Sequence, residues 1–181
     1  MTTRRDTYQR PPVERLRAGA PHLQYECVCF YKQGGLLLEL FNKPRPAVIA
    51  SGAWDTLQVA TVEAWLVHVR ALMMAFREHR LPRFPHDLLF RDYLTPTAWE
   101  TLRDQLVPDT ATQARIDEIG VLLAHISYSR ADDPRRGGAS VEEYRRLDAR
   151  VRAWHSALDG EWRATFAPLG EVLQKAREAR A

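Results

Sequence analysis

Cysteine is nearly absent from this chain. Cys27 and Cys29 are the only two among 181 residues, too close in sequence to staple a fold, and no second pair exists to complete a zinc site. Two readings of the pair stand. In a strand both side chains face one side and can join a Cys or His from elsewhere on a metal, whereas in a helix they diverge by about 200 degrees. The plainer reading is two small buried side chains. Long apolar runs are missing as well: no stretch of eighteen or more residues is apolar enough to span a membrane, and the N-terminus lacks the apolar core of a secretory signal. A cytoplasmic protein with no membrane partner is therefore expected. An excess of positive charge is absent from the body. The net charge is +3, and Arg4, Arg5, Arg10, Arg15 and Arg17 against Asp6 and Glu14 account for all of it, so residues 21–181 balance to zero. Nothing in that balance demands the concentrated basic face of a strong nucleic-acid binder.

Catalytic signatures are scarce. Gly34-Gly35 has no following Lys-Ser/Thr to make a phosphate cradle, no Gly-x-Ser-x-Gly element occurs, and the cysteines lie in no recognised catalytic setting. His79 and His86 flank a proline-rich loop beside Asp87 and Asp92, but no convergence of three or four ligands is fixed there. No metal and no cofactor is expected.

What is present is helical periodicity. The length suits one domain able to bury a core without disulfides, and the fold expected is all-α: a single-domain bundle of about five helices over residues 21–181, preceded by a mobile basic arm over residues 1–20. From about Asp55 to Arg80, Leu66, Val69, Met73 and Phe76 recur at three- and four-residue intervals, with Ala60, Ala64, Val67, Ala71 and Met74 in the neighbouring stripe. This helix belongs in the middle of a bundle, with Asp55 as its cap and Pro82 and Pro85 beyond its end. Residues 22–41 read either as one helix (Leu23, Cys27, Phe30) or as a hairpin turning at Gly34-Gly35. The helix is favoured because no other segment offers a strand to join. Thr95-Pro96 opens a short helix with Trp99, Leu102 and Leu106 inward. Thr110 to Arg130 carries Ile116, Ile119, Leu123 and Ile126, the expected packing partner of the central helix. Pro134, Gly137 and Gly138 mark an exposed loop, and Ser140 with Glu143 makes a capping box. The helix that follows turns Tyr144, Leu147, Val151, Trp154 and Leu158 inward. Pro168 and Gly170 then interrupt it before a last frayed turn.

Two helices place ionisable groups among apolar neighbours: Glu63, His68 and Arg70 on the central one, His125 and Arg130 on the later one. Glu63 and Arg70, seven residues apart, fall on nearly the same face. Because an unpaired buried charge is expensive, each group either pairs, as a structural cross-link between helices, or reaches solvent and marks a binding site.

The run VEAWLVHVRALMMAF, followed after DLLFRDYL by a helix ending LLAHISYSR, resembles a group of bacterial all-helical proteins. In that group a His-x-Arg on one helix precedes an Ala-His-Leu-Thr/Ser-Tyr-x-Arg signature on another. The group is in turn similar to the HEPN superfamily, all-α bundles of which many members bind or cut RNA. The resemblance covers roughly residues 55–130, more weakly the region of Trp154. It implies a metal-independent ribonuclease or an RNA- or nucleotide-binding domain, working as a homodimer. The HEPN nuclease signature, an Arg separated from a His by four to six intervening residues, is where this chain departs. The window before His125 holds Glu118 to Gly120, and Arg115 lies about 15 Å away along a helix axis. Arg150 and His155 satisfy the spacing, with Val151 where a polar residue is expected, so they are the candidate catalytic pair.

Three functions follow. The first is an HEPN-like domain binding RNA or a nucleotide through Glu63, His68, Arg70, His125 and Arg130. The second is a protein-interaction module contacting a partner through the arm and Arg135-Arg136. The third is a nuclease acting through Arg150 and His155. The ionisable groups on helices favour the first.

Overall fold

The computed structural model describes residues 8–79, 87–124 and 140–178, with the helix backbone alone over 121–124. Its described residues form seven α-helices: α1 (Val13–Asn42), α2 (Ser51–Ala75), α3 (Pro96–Leu106), α4 (Thr110–Ala124), α5 (Val141–Ala157), α6 (Gly160–Thr165) and α7 (Ala167–Glu178), with a 3-10 turn at Phe90–Tyr93. The all-α expectation holds, and no strand occurs among the described residues. About five helices was too few, because the C-terminal stretch divides. Gly160 adopts a positive φ of 44°, conformational freedom that glycine supplies without a side-chain clash, and opens α6. Pro168 then sits in the first turn of α7, where a missing N–H breaks no intrahelical bond, so it starts a helix of 12 residues rather than interrupting one.

Residues 22–41 are helix, within an α1 of 30 residues. Leu16, Ala20, Leu23, Cys27, Phe30, Gly34 and Leu37 are all buried, a three-and-four spacing that only a helix places on one side. The mobile-arm reading fails from Tyr8 to Ala20. After Pro12 the apolar stripe starts at Leu16, and the arginines occupy the outer face, with Arg17 Nη2 donating to Glu161 Oε2 at 2.9 Å. Ahead of the helix, Tyr8 OH donates to Asp92 Oδ1 and Arg10 Nε to the Asp92 carbonyl at 2.8 Å. The Arg91 guanidinium lies 3.5 Å from the centroid of the Tyr8 ring and 4.8 Å from that of Trp99. This cation between two rings fastens the start of the chain to its middle.

The central helix α2 packs mainly against α1, with α4 on its other flank and α5 across one end. Its buried Trp65, Leu66, Val69, Leu72 and Met73 are the residues whose spacing predicts the helix. Its start lies at Ser51 rather than Asp55, since Ala50 already accepts the first helical bond from Trp54. The two sequence start signals form as expected: Ala98 N donates to Thr95 Oγ1 at 3.2 Å, and Glu143 N donates to Ser140 Oγ at 2.9 Å while the Glu143 carboxylate accepts from Ser140 N. One buried cluster draws on every helix. No described helix is long and apolar enough to cross a membrane.

Candidate functional site

Among the described residues, those the sequence singles out do not gather at one place. His68 faces α1. Its Nδ1 lies 2.7 Å from Glu26 Oε2 and its Nε2 lies 3.4 Å from Gln33 Nε2, with the Tyr25 ring edge-on at 5.9 Å. With Nδ1–H donating to Glu26 and Nε2 accepting from Gln33, both ring nitrogens are engaged. Gln33 Oε1 is left buried without a hydrogen-bond partner. Arg70, two residues on, is turned about 200 degrees around α2. It is exposed and lies over Gly120 of α4, where an added Cβ would stand 3.2 Å from Arg70 Nε. Half-buried Glu63 shares the Arg70 side. His68 thus ties α1 to α2, and the two residues of the His-x-Arg motif serve opposite interfaces. His125 and Arg130 lie outside the described residues, as do Arg135-Arg136.

The Arg150 and His155 pair diverges in the same way, by about 140 degrees around α5. Arg150 is half-buried beside Asp109 and Arg146, burial lowers its pKa against the pull of Asp109, and its Nη1 has no hydrogen-bond partner. The Asp109 carboxylate is held below its usual range by the backbone N–H of Thr112, 2.7 Å away, which it caps. His155 turns instead toward α7. Its Nε2 sits 3.2 Å from the Phe166 carbonyl, and its ring is close enough to Gly170 that a Cβ there would stand 3.3 Å from Cε1. Burial lowers its pKa, the Phe166 carbonyl opposes that, and Arg163 adds to it. With Nε2–H donated to a backbone carbonyl and the ring turned about 140 degrees from Arg150 around α5, the two side chains do not face one phosphate.

A polar network lies deeper between α1 and α5. Tyr31 OH and Arg152 Nε each donate to Asp148 Oδ1 at 2.7 Å. Burial, then the Asp148 charge, raises the Tyr31 pKa, so the phenol stays a donor. Cys27 is fully buried and Cys29 half-buried, both free. Among the described residues no group of three or more His, Cys, Asp or Glu is arranged to hold a metal.

Sequence reasoning missed a cavity of about 600 Å³ between the second half of α1, α2 and the start of α5. Leu37, Phe41, Val62, Trp65 and Tyr144 supply its apolar walls, and Asn42, Ser140 and Arg145 its polar groups. Trp65, Tyr144 and Phe30 stack nearly parallel behind it, Phe30 to Tyr144 at 4.9 Å and Trp65 to Tyr144 at 6.4 Å between centroids. Gly34 permits this. A Cβ there would lie 2.5 Å from Tyr144 Cε2 and 3.2 Å from Trp65 Nε1, so only a bare α1 backbone lets both rings approach. Trp65 Nε1 is buried with no hydrogen-bond partner. The available signal was the position of Gly34, on the buried stripe of a helix, next to a Gly35 with nothing within 4 Å of its would-be Cβ. Neither protein-family models, nor curated proteins, nor solved structures give a match to this chain.

Proposed function

We propose that this chain is an HEPN-like helical domain that binds RNA or a nucleotide without cleaving it. One observation carries the reading: the described imidazoles of the candidate set are committed and its guanidinium groups are not. His68 is held by Glu26 and Gln33, and His155 donates Nε2–H to the Phe166 carbonyl, each turned away from the arginine of its own motif, so neither is paired with a guanidinium for acid–base work on one phosphate. Arg70 and Arg150 donate no hydrogen bond to any described group, and the vacant Arg150 Nη1 is buried. Cations with unused donors suit phosphate oxygens. The resemblance of the His-x-Arg helix to RNA-associated bundles supplies the ligand class.

The test is retention of a labelled single-stranded RNA by the purified chain. Binding that weakens as salt rises, and weakens again in Arg70→Ala and Arg150→Ala but not in His155→Gln, is the expected result, with the RNA intact throughout. No retention at low salt removes the binding reading. Cutting that disappears in a folded His155→Ala variant restores the nuclease reading in its place.

A second reading, a protein-interaction module, is favoured by exposed apolar side chains where the end of α1 meets the start of α5. Phe41 is 61% and Val141 55% exposed, and both border one groove, an arrangement more typical of contact surfaces than of solvated ones.

A further inference from the structure

The cavity between α1, α2 and α5 is independent of the arginines that carry the RNA reading, and its chemistry differs from theirs. Its walls are Gly34, Leu37, Leu38, Phe41, Val62, Trp65, Val141 and Tyr144, carbon on nearly every side. Its size, about 600 Å³, falls in the range of pockets that enclose small molecules. Polar groups are few: Asn42 at the end of α1, and on the α5 side Ser140, its N-cap, with Arg145, so the positive end of a 17-residue helix and a guanidinium both border the cavity. The acidic residues nearby are already neutralised. Glu142 pairs with Arg146 at 2.9 Å, and Glu143 is held by Arg115 and by the Ser140 backbone N–H. Arg145 has no such partner among the described residues, and is exposed.

We infer that this cavity binds a small amphipathic carboxylate, an acyl or aryl body seated against Trp65, Tyr144 and Leu37 with its carboxylate at Arg145. A nucleobase is a poorer occupant. Its edge carries several donors and acceptors, and beyond the exposed Arg145 the lining offers them only Asn42, the Trp65 indole N–H and a Ser140 hydroxyl already bonded to Glu143 N, so polar atoms would be buried unpaired. An apolar body loses nothing on entry, and the single anion stays at the mouth, where one cation and a helix start meet it.

The experiment is calorimetric titration of the purified full chain with decanoate below its critical micelle concentration, beside decanol and adenosine monophosphate as comparison probes. Decanoate binding at one site per chain is expected. Arg145→Glu, a change at an exposed position, should weaken it by about tenfold, and Leu38→Trp, which fills the mouth from a 39% exposed position, should abolish it, both with unchanged circular dichroism. Decanol should bind more weakly by a similar factor, and the difference between decanoate and decanol should shrink as salt is added. No decanoate binding, decanol binding equal to decanoate, or decanoate binding untouched by both variants overturns the inference. Nucleotide binding that Leu38→Trp blocks, with decanoate inert, overturns it too and gives the cavity to the nucleotide. RNA retention lost in Arg70→Ala and Arg150→Ala bears on the RNA reading alone.

Discussion

Two aromatic clusters divide the core, and they are built differently. Around Trp154 the rings meet mostly edge to face: Phe90 at 4.6 Å, Phe166 at 4.9 Å, and Tyr93 against Trp162 at 5.0 Å. Phe76, Phe90, Tyr93, Trp154 and Phe166 are all 0% exposed. The two fully buried polar handles there are used, with Trp154 Nε1 donating to the Phe90 carbonyl at 2.9 Å and Tyr93 OH to the Leu16 carbonyl at 3.1 Å. Around Trp65 the rings lie nearly parallel beside a cavity, and the indole N–H has no acceptor. The first cluster is saturated in packing and in hydrogen bonds. The second leaves space and a donor unspent, features that lower stability and that accord with the binding role proposed for the cavity.

The sharpest way to break this contrast is truncation. Trp154→Ala should destabilise the fold by about 3–5 kcal/mol in denaturant titration, and Trp65→Ala by clearly less, since part of its surroundings is already open. Equal losses would mean that the two clusters do the same job. Removing only the indole N–H separates them further. Trp154→Phe strands the buried Phe90 carbonyl and should lose about 1–3 kcal/mol, whereas Trp65→Phe deletes a donor that has no partner and should change stability by less than about 1 kcal/mol. The adjacent glycines give a comparison of opposite sign. Gly34→Ala drives a methyl into Tyr144 and should lose about 1–3 kcal/mol, while Gly35→Ala, with open space around it, should gain about 0.5–1 kcal/mol, both read from the melting temperature.

The smallest effect is a pH dependence on the Trp154 side. The folded state lowers the His155 pKa below its ordinary 6.5, so the unfolded chain binds the proton more readily. Stability is therefore full above that ordinary value and is lost as pH falls through it toward the folded value. His155→Gln keeps a donor for the Phe166 carbonyl and removes the titration. Unfolding curves between pH 7.5 and pH 5.5 should be less pH-dependent in the variant than in the parent, and equal slopes would assign the dependence elsewhere.

Local signals in the sequence were legible. The stripe of Leu66, Val69, Met73 and Phe76 places α2, and Thr95 with Pro96, and Ser140 with Glu143, start α3 and α5, because a cap needs only residues within one turn of it. What needed distant partners was not. Leu16 and Ala20 look like part of a basic tail until Leu88 and Tyr93, whose side chains meet Gly19, are brought against them. His68 stands out as an imidazole on an apolar helix, but its partner Glu26 belongs to another helix, and no spacing within α2 points to it. The Arg150 and His155 spacing was a linear count, and the helical turn sends one toward Asp109 and the other toward Phe166. The cavity follows from how three helices cross, which periodicity along one of them does not encode.

The bond between Tyr8 and Asp92 spans 84 positions. On a ribosome Tyr8 and Arg10 emerge early, and their acceptor follows only after both long helices have been made. A stretch made before both long helices is thus seated after them, waiting on a 3-10 turn that does not yet exist.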